Sequence, residues 1–289
     1  MRIRSIFQAA ASLALVLLVA TSAVGQTRSE VRKAIEASLL VTGDITISAT
    51  GKVGEFKLDA PEKLPKEVLA LIDSALPAWE FEPVIRNGAA ISARSRMSLR
   101  LVANKRDDGD YLLAIRSAAF TGDSDDEVDK TWLAKQRMDP PTYPTKAARA
   151  GVSGTVYLIV KVGRDGRVED AFAEQTNLRY VDNEKQMARW RTVLEQSALV
   201  AARSWQFTAD PHAESEADGS RTVRVPVDYS FGKTTLAYGT WSPYIPGPRA
   251  LAPWVKPEFA RAQDIDAGQD GTLAPVGAGV RLKTDLSQG

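Results

Sequence analysis

The residues of this chain that could do chemistry are few: one histidine, one cluster of acids, a glycine-arginine turn, and no cysteine at all. A histidine acts as general base when a nucleophile and an orienting acid are set against it. His212 stands in the polar stretch "DPHAESEADGS" without such a serine–acid arrangement. The acids of "GDSDDEVDK", Gly122 to Lys130, suggest calcium, but a calcium loop needs a glycine at its sixth position and a carboxylate at its twelfth. Counted from Asp123 those positions hold Val128 and Ala134, so the run reads as a solvated linker that caps a following helix. "GRDGR", Gly163 to Arg167, has neither the length nor the Lys-Ser/Thr ending of a phosphate loop, and its glycines read as turn residues. Without cysteine there is no thiolate nucleophile, disulfide or Cys-ligated metal. The expectation is a protein that is not an enzyme and needs no cofactor or metal.

Composition points the same way. A chain of 289 residues with an ordinary apolar content has room for about two domains. Lys plus Arg (37) balances Asp plus Glu (36), so no overall field draws it to nucleic acid. At the N-terminus Arg2 and Arg4 precede an apolar run from Ala9 to Ala20, and Ala23 and Gly25 lie three and one positions before Gln26. Residues 1–25 therefore read as a cleavable export signal, and the same stretch left uncleaved would be an inner-membrane anchor. Either way the body of the chain is expected outside the cytoplasm.

Beyond a polar helix expected over Arg28 to Leu40, the elements follow one order twice. In the first copy Ile45, Ile47 and Ala49 alternate into a turn at Gly51, and Val53, Phe56 and Leu58 follow it. Val68, Leu71, Ile72, Ala75 and Leu76 then fall on one face of a helix. "WEFEP" from Trp79, a turn at Asn87-Gly88 and the strand "SARSRMSLRLVA" complete the copy. In the second copy the strands Thr155 to Val162 and Arg167 to Gln175 flank the turn at Gly166. A helix from about Asp182 to Arg203 follows, with Met187, Trp190, Val193, Leu194, Ala198 and Ala201 on its apolar face. "WQF", Trp205 to Phe207, and a strand from Arg221 to Phe231 close it. The aromatic pairs Trp79/Phe81 and Trp205/Phe207 read as core anchors. The fold class is α+β: tandem small antiparallel sheets, each packed against one or two helices.

With "PPTYPTKAARAGVSGTVYLIVKVGRDGRVEDAFAEQ", "ALVAARSWQF" and "RTVRVPVDYSF" in this order, residues 140–231 resemble the C-terminal domain of TonB, the periplasmic energy transducer. Residues 28–120 resemble a degenerate copy without the Tyr-Pro pair. The resemblance implies that the last strand pairs with a short extended segment, the TonB box, of a TonB-dependent outer-membrane receptor, with the Tyr-Pro pair beside the docked peptide. Main-chain hydrogen bonds supply affinity in that mode and alternate side chains supply selectivity. Carried onto this chain, the partner-binding residues are Tyr143, Pro144, Thr222, Val223, Arg224, Val225 and Val227. Pro144 also fixes the start of a helix over Thr145 to Ala150 on which Tyr143 can pack, and Val223, Val225 and Val227 can equally fill the core side of the sheet. Pro226 has no N–H and would interrupt any ladder added there.

The chain departs from the transducer pattern in three places. Pro140 stands where some members have a glutamine, no histidine lies in the apolar N-terminal run, and no long Pro-rich spacer precedes Pro140. A transducer works through the inner-membrane proton-driven partners ExbB and ExbD and must reach across the periplasm, so coupling is open on this sequence. Two functions follow. One is a TonB-like protein that binds receptor segments by strand addition and transduces energy for uptake. The alternative is a soluble periplasmic interaction or scaffold protein that keeps the fold without transport coupling, with self-association edge to edge as one outcome. Residues 121–139 are expected as acidic linker and helix, and 232–289 as a Pro- and aromatic-rich tail, either partly ordered or docked on the sheet.

Overall fold

The structure, a computed structural model, describes residues 27–86, 88–105, 110–121, 133–209, 215, 217–231, 238–257, 273–276 and 280–286. The apolar N-terminal run, the acidic run Gly122 to Lys130 and His212 lie outside the described residues.

The first unit opens with helix α1 (Arg28–Lys33), whose start is closed by Thr27 and Glu30, each accepting a hydrogen bond from the other's backbone N–H. The helix expected to continue to Leu40 stops there. From Glu36 the chain is strand β1 (Glu36–Ile47), paired residue for residue with a later strand, and that pairing overrides a weak helical propensity. Strand β2 (Val53–Leu58), helix α2 (Lys66–Ala75), the hairpin β3 (Val84–Arg86) and β4 (Ala89–Ile91), and strands β5 (Ala93–Lys105) and β6 (Tyr111–Thr121) follow. The antiparallel sheet runs β2-β1-β5-β6. Val68, Ile72 and Leu76 pack from the helical side onto Leu39, Val41, Ile45, Leu99 and Leu101, which alternate along β1 and β5.

The second unit holds β7 (Leu133–Arg137), α3 (Thr145–Arg149), β8 (Gly154–Val162), β9 (Val168–Leu178), α4 (Glu184–Ala202), β10 (Gln206–Ala209) and β11 (Arg221–Tyr229). Its sheet runs β9-β8-β11, all antiparallel. Asn183 caps α4 by accepting from the Gln186 N–H at 3.1 Å. The helix buries Met187, Leu194, Ala198 and Ala202 against Val156, Leu158, Val160, Val223 and Val225. The linker helix expected before Pro140 is instead β7, because β10, just past Trp205, offers it an antiparallel partner.

Each unit closes its hairpin turn on its own aromatic pair. Gly51 (φ +80°) accepts from the Phe81 N–H at 2.7 Å, and Gly166 (φ +77°) accepts from the Phe207 N–H at 2.8 Å. A Cβ on Gly51 would lie 2.2 Å from the Phe81 carbonyl oxygen, and one on Gly166 would lie 1.9 Å from that of Phe207. Glycine is needed at both turns for its left-handed backbone and for this close approach. Trp79, Phe81, Trp205 and Phe207 are all buried, as core anchors should be.

The sheet faces turned away from the helices meet each other. Arg100, which alternates with the core residues Leu99 and Leu101, donates to the Tyr157 hydroxyl of β8 at 3.4 Å and lies 4.2 Å from the centre of the Tyr244 ring. The Pro-rich tail binds the two units together. Its strand β12 (Ser242–Tyr244) pairs with the start of β1, and Ile245 exchanges backbone hydrogen bonds with Leu178 of β9. Ala252, Trp254 and Val255 cover Ile159 and Phe172, and strand β13 (Ala274–Pro275) joins β11. Leu282 then bridges to Phe81 in the first unit. Where it is described, the tail is docked.

Candidate strand-binding edge

β11 is the last long strand of its sheet, and both of its faces are buried. Val223, Val225 and Val227 point into the core under α4, so their side chains serve packing. Between them Arg224 points to the opposite face and is 1% exposed. Its guanidinium grips Glu174 of β9 in a two-pronged pair, Nε to Oε2 at 2.6 Å and Nη2 to Oε1 at 3.0 Å. Arg249 of the tail donates to the same carboxylate at 2.7 Å. Burial alone would push the Glu174 carboxyl up, but the two guanidiniums more than offset it and hold the group below the ordinary carboxylate range. Contacts separated by 50 and 75 positions leave no local signal, so sequence reading misses this triad.

The edge of β11 turned away from β8 is partly taken. Val276 donates to the Thr222 carbonyl at 2.9 Å, and β13 sets Pro275 opposite Val223 and Ala274 opposite Arg224. In an antiparallel strand the N–H and C=O of one residue point to the same side, so Thr222, Arg224 and Pro226 face outward. Pro226 has no N–H to give, and any added ladder is interrupted there.

Tyr143 and Pro144 lie outside β11, against its C-terminal end. Pro144 is the N-cap of α3, with φ −62°. The Tyr143 hydroxyl donates to the Val152 carbonyl at 2.5 Å, and burial pushes its pKa up. Its ring meets Tyr229 edge-on at 5.4 Å and stacks on Phe231 at 5.1 Å. The stretch before it is pinned as well: Trp205 donates to the Asp139 carbonyl at 2.9 Å and Ser197 to that of Thr142 at 2.6 Å. Tyr143 thus lies at the far end of β11 from Thr222, roughly 23 Å away at ~3.3 Å per residue. The structure brings Tyr143 to Tyr229 and the half-exposed Phe231, and does not bring it to Thr222 or Arg224. The sequence-level candidates are therefore split between two ends of one strand.

Among the described residues no group of His, Asp or Glu is placed to hold a metal ion, and no helix is long and apolar enough to cross a membrane.

A small sheet with one long edge strand and a helix on one face defines a strand-pairing module in geometry. No family model matches the chain. Over 98 residues it is 37% identical to protein TonB of two strains of Xanthomonas campestris pv. campestris, a match covering 34% of this chain and 38% of each relative. Over 58 residues it is 40% identical to protein TonB of Pseudomonas aeruginosa, covering 19% of this chain and 17% of that protein. A solution NMR structure of the Pseudomonas aeruginosa TonB C-terminal domain aligns with 39% of this chain and 95% of its own length, at 22% identity and a TM-score of 0.25. The chain carries a TonB C-terminal-like domain and spans 38% of the length of the Xanthomonas relatives.

Proposed function

We propose that this is a periplasmic protein of the cell envelope that captures extended peptide segments, those of TonB-dependent outer-membrane receptors, by adding them as a strand to β11. The observation that carries the reading is the outward backbone of Thr222 and Arg224, against which an extended stretch of the chain already pairs. The likeness to protein TonB supports the choice of receptor segments. Affinity on such an edge comes from backbone hydrogen bonds, and the side chains of alternate residues select the sequence. Thr222 and Arg224 act through their outward backbone, Val223, Val225 and Val227 hold the strand to β8 and to the core, and Tyr143 and Pro144 stiffen its far end. The first unit reads as a degenerate copy of the same domain, supported by the shared closure of Gly51 on Phe81 and of Gly166 on Phe207. In that unit the eleven-residue strand β6 fills the edge of β5 equivalent to the outer side of β11, which only the two-residue β13 covers, so capture is assigned to the second.

Energy transduction through ExbB and ExbD requires residues 1–25 to remain as an anchor and the binding domain to reach across the periplasm. One observation favours the soluble reading, an interaction or scaffold protein. Arg100 and the tail hold the second unit against the first, which leaves it little independent reach.

The test is titration calorimetry of the purified chain with a synthetic TonB-box segment from a receptor of the source organism, beside intact mass and membrane fractionation of the native protein. Saturable binding with a change in protection along Thr222 to Arg224 supports receptor capture. No heat up to millimolar peptide refutes it and leaves the scaffold role. A chain beginning at Gln26 in the soluble fraction removes transduction.

A further inference from the structure

The segment on β11 states what the edge accepts. Leu273 packs with the core beneath α4, Ala274 is 2% exposed and packs against Ala119 of β6, and Val276 joins Ile159, Ala252 and Val255 on the opposite face. The side chains thus alternate between the two faces, as an added strand requires. Val276 donates to Thr222 and Ala274 stands opposite Arg224, so these two residues direct their backbone at β11 and Pro275 directs its ring nitrogen away. A proline placed there removes no ladder bond. On β11 itself Pro226 ends the outward run of donors, so a second segment cannot simply pair further along the same strand.

From this we infer that the β11 edge is a strand-addition site for an extended, uncharged segment of the pattern aliphatic–small–proline–aliphatic, and that residues 273–276 fill it in cis. An outside partner binds by replacing this segment. The inference rests on the strand-addition reading for the capacity of β11 alone and does not depend on receptors being the partner. The small residue is required because the space opposite Arg224 is closed by Ala119. A tethered segment competes at an effective concentration on the order of millimolar, so a free peptide of equal intrinsic affinity binds weakly while the tail is seated.

The experiment uses the full chain and a fluorescently labelled peptide of residues 271–277, with Ala274→Arg in the chain to unseat its own segment. The expected result is that the peptide binds the variant at least about tenfold more tightly than it binds the natural chain. The same peptide carrying arginine at its alanine should not bind. Equal affinity for both chains, or no affinity for a folded variant whose Arg224 amide exchanges freely, overturns the inference. Should the variant fail to fold, hydrogen exchange on the natural chain decides. Excess peptide should speed exchange at its own Val276 amide, and unchanged exchange at saturating peptide again overturns it. Binding of this peptide without binding of any receptor segment removes the receptor reading and leaves the edge pattern standing. Binding of receptor segments with Val276 still protected removes the pattern instead.

Discussion

Replacing Glu174 by glutamine tests how the second sheet is held to the tail. The Glu174 and Arg224 side chains are each 1% exposed, and Arg249 is the only partly solvated member of the triad. Glutamine keeps the shape but offers one acceptor oxygen and an NH2 group that faces guanidinium donors. Arg224 would then be a buried cation without a counter-ion. Breaking a buried pair from one side costs about 3–5 kcal/mol. For a protein of this size that is a fall of roughly 6–20 °C in Tm. Calorimetry of the full chain gives the magnitude, and hydrogen exchange gives the location: the Ala250 amide, bonded to the Glu174 carbonyl at 2.8 Å, should lose protection with the core of the second unit. Arg249→Ala should do less, since Arg224 stays paired, and its effect should centre on the tail. Glu174→Leu combined with Arg224→Met should recover most of the loss, because a packed apolar pair avoids the desolvation of both ions. A shift under 2 °C for Glu174→Gln would refute the view that the triad is a desolvated unit.

Two further outcomes follow from the same structure. Gly166→Ala and Gly51→Ala should each cost about 2–3 kcal/mol, combining the left-handed backbone penalty with the loss of one backbone bond. Gly151→Ala has φ +68° but nothing within 4 Å of the new Cβ, so it should cost about 1–2 kcal/mol, and urea unfolding that ranks Gly151 above Gly166 would disprove the closure. The pH dependence has a definite sign. Because the Glu174 carboxyl is held below its unfolded value of about 4.3, its contribution is complete above that pH and is lost as pH falls through the folded value. The stability gap between the natural chain and Glu174→Gln should therefore be constant from pH 6 to 8 and collapse below roughly pH 4, and a gap that widens on acidification would contradict the assignment.

The elements that sequence reading found are those with a local signature. Gly51 and Gly166 break alternating strands, and Val68, Ile72, Met187 and Leu194 mark one helical face each, so order and type were legible within a dozen residues. β6 has a local signature too, the dipeptide Asp108-Gly109 before "YLLAI", which the two-copy reading does not use. β7 had none: its strand exists only because β10 lies beside it, about seventy positions on. The tail is the extreme case. Ser242 to Tyr244 meets β1 across some two hundred positions, and no period of 2 or 3.6 encodes that. The site was half legible for the same reason. The valines of β11 show their inward face by alternation, whereas the partners of Arg224 come from β9 and the tail.

The two edges of the β9-β8-β11 sheet are closed by the same tail but not with the same strength, and the difference points to where the molecule opens. An uncovered edge is a template for pairing with another chain. On β9 the tail makes reciprocal bonds between Leu178 and Ile245, a bond from Ala250 to Glu174, a side-chain bond from Gln175 to the Gly247 carbonyl, and the Arg249 ion pair. On β11 it makes a two-residue ladder and one bond at Thr222. Ordering four residues there costs on the order of 1–2 kcal/mol each, against which only Leu273, Ala274 and Val276 bury apolar surface. The β11 contact is therefore the weaker one, and a partner strand with one more buried side chain would displace it. Leu282 and Lys283 remain tied to Phe81 and Glu80, so a released segment stays anchored on its C-terminal side. Reclosure is then an intramolecular step, and the same tether that weakens a short peptide restores the sealed edge when the partner leaves.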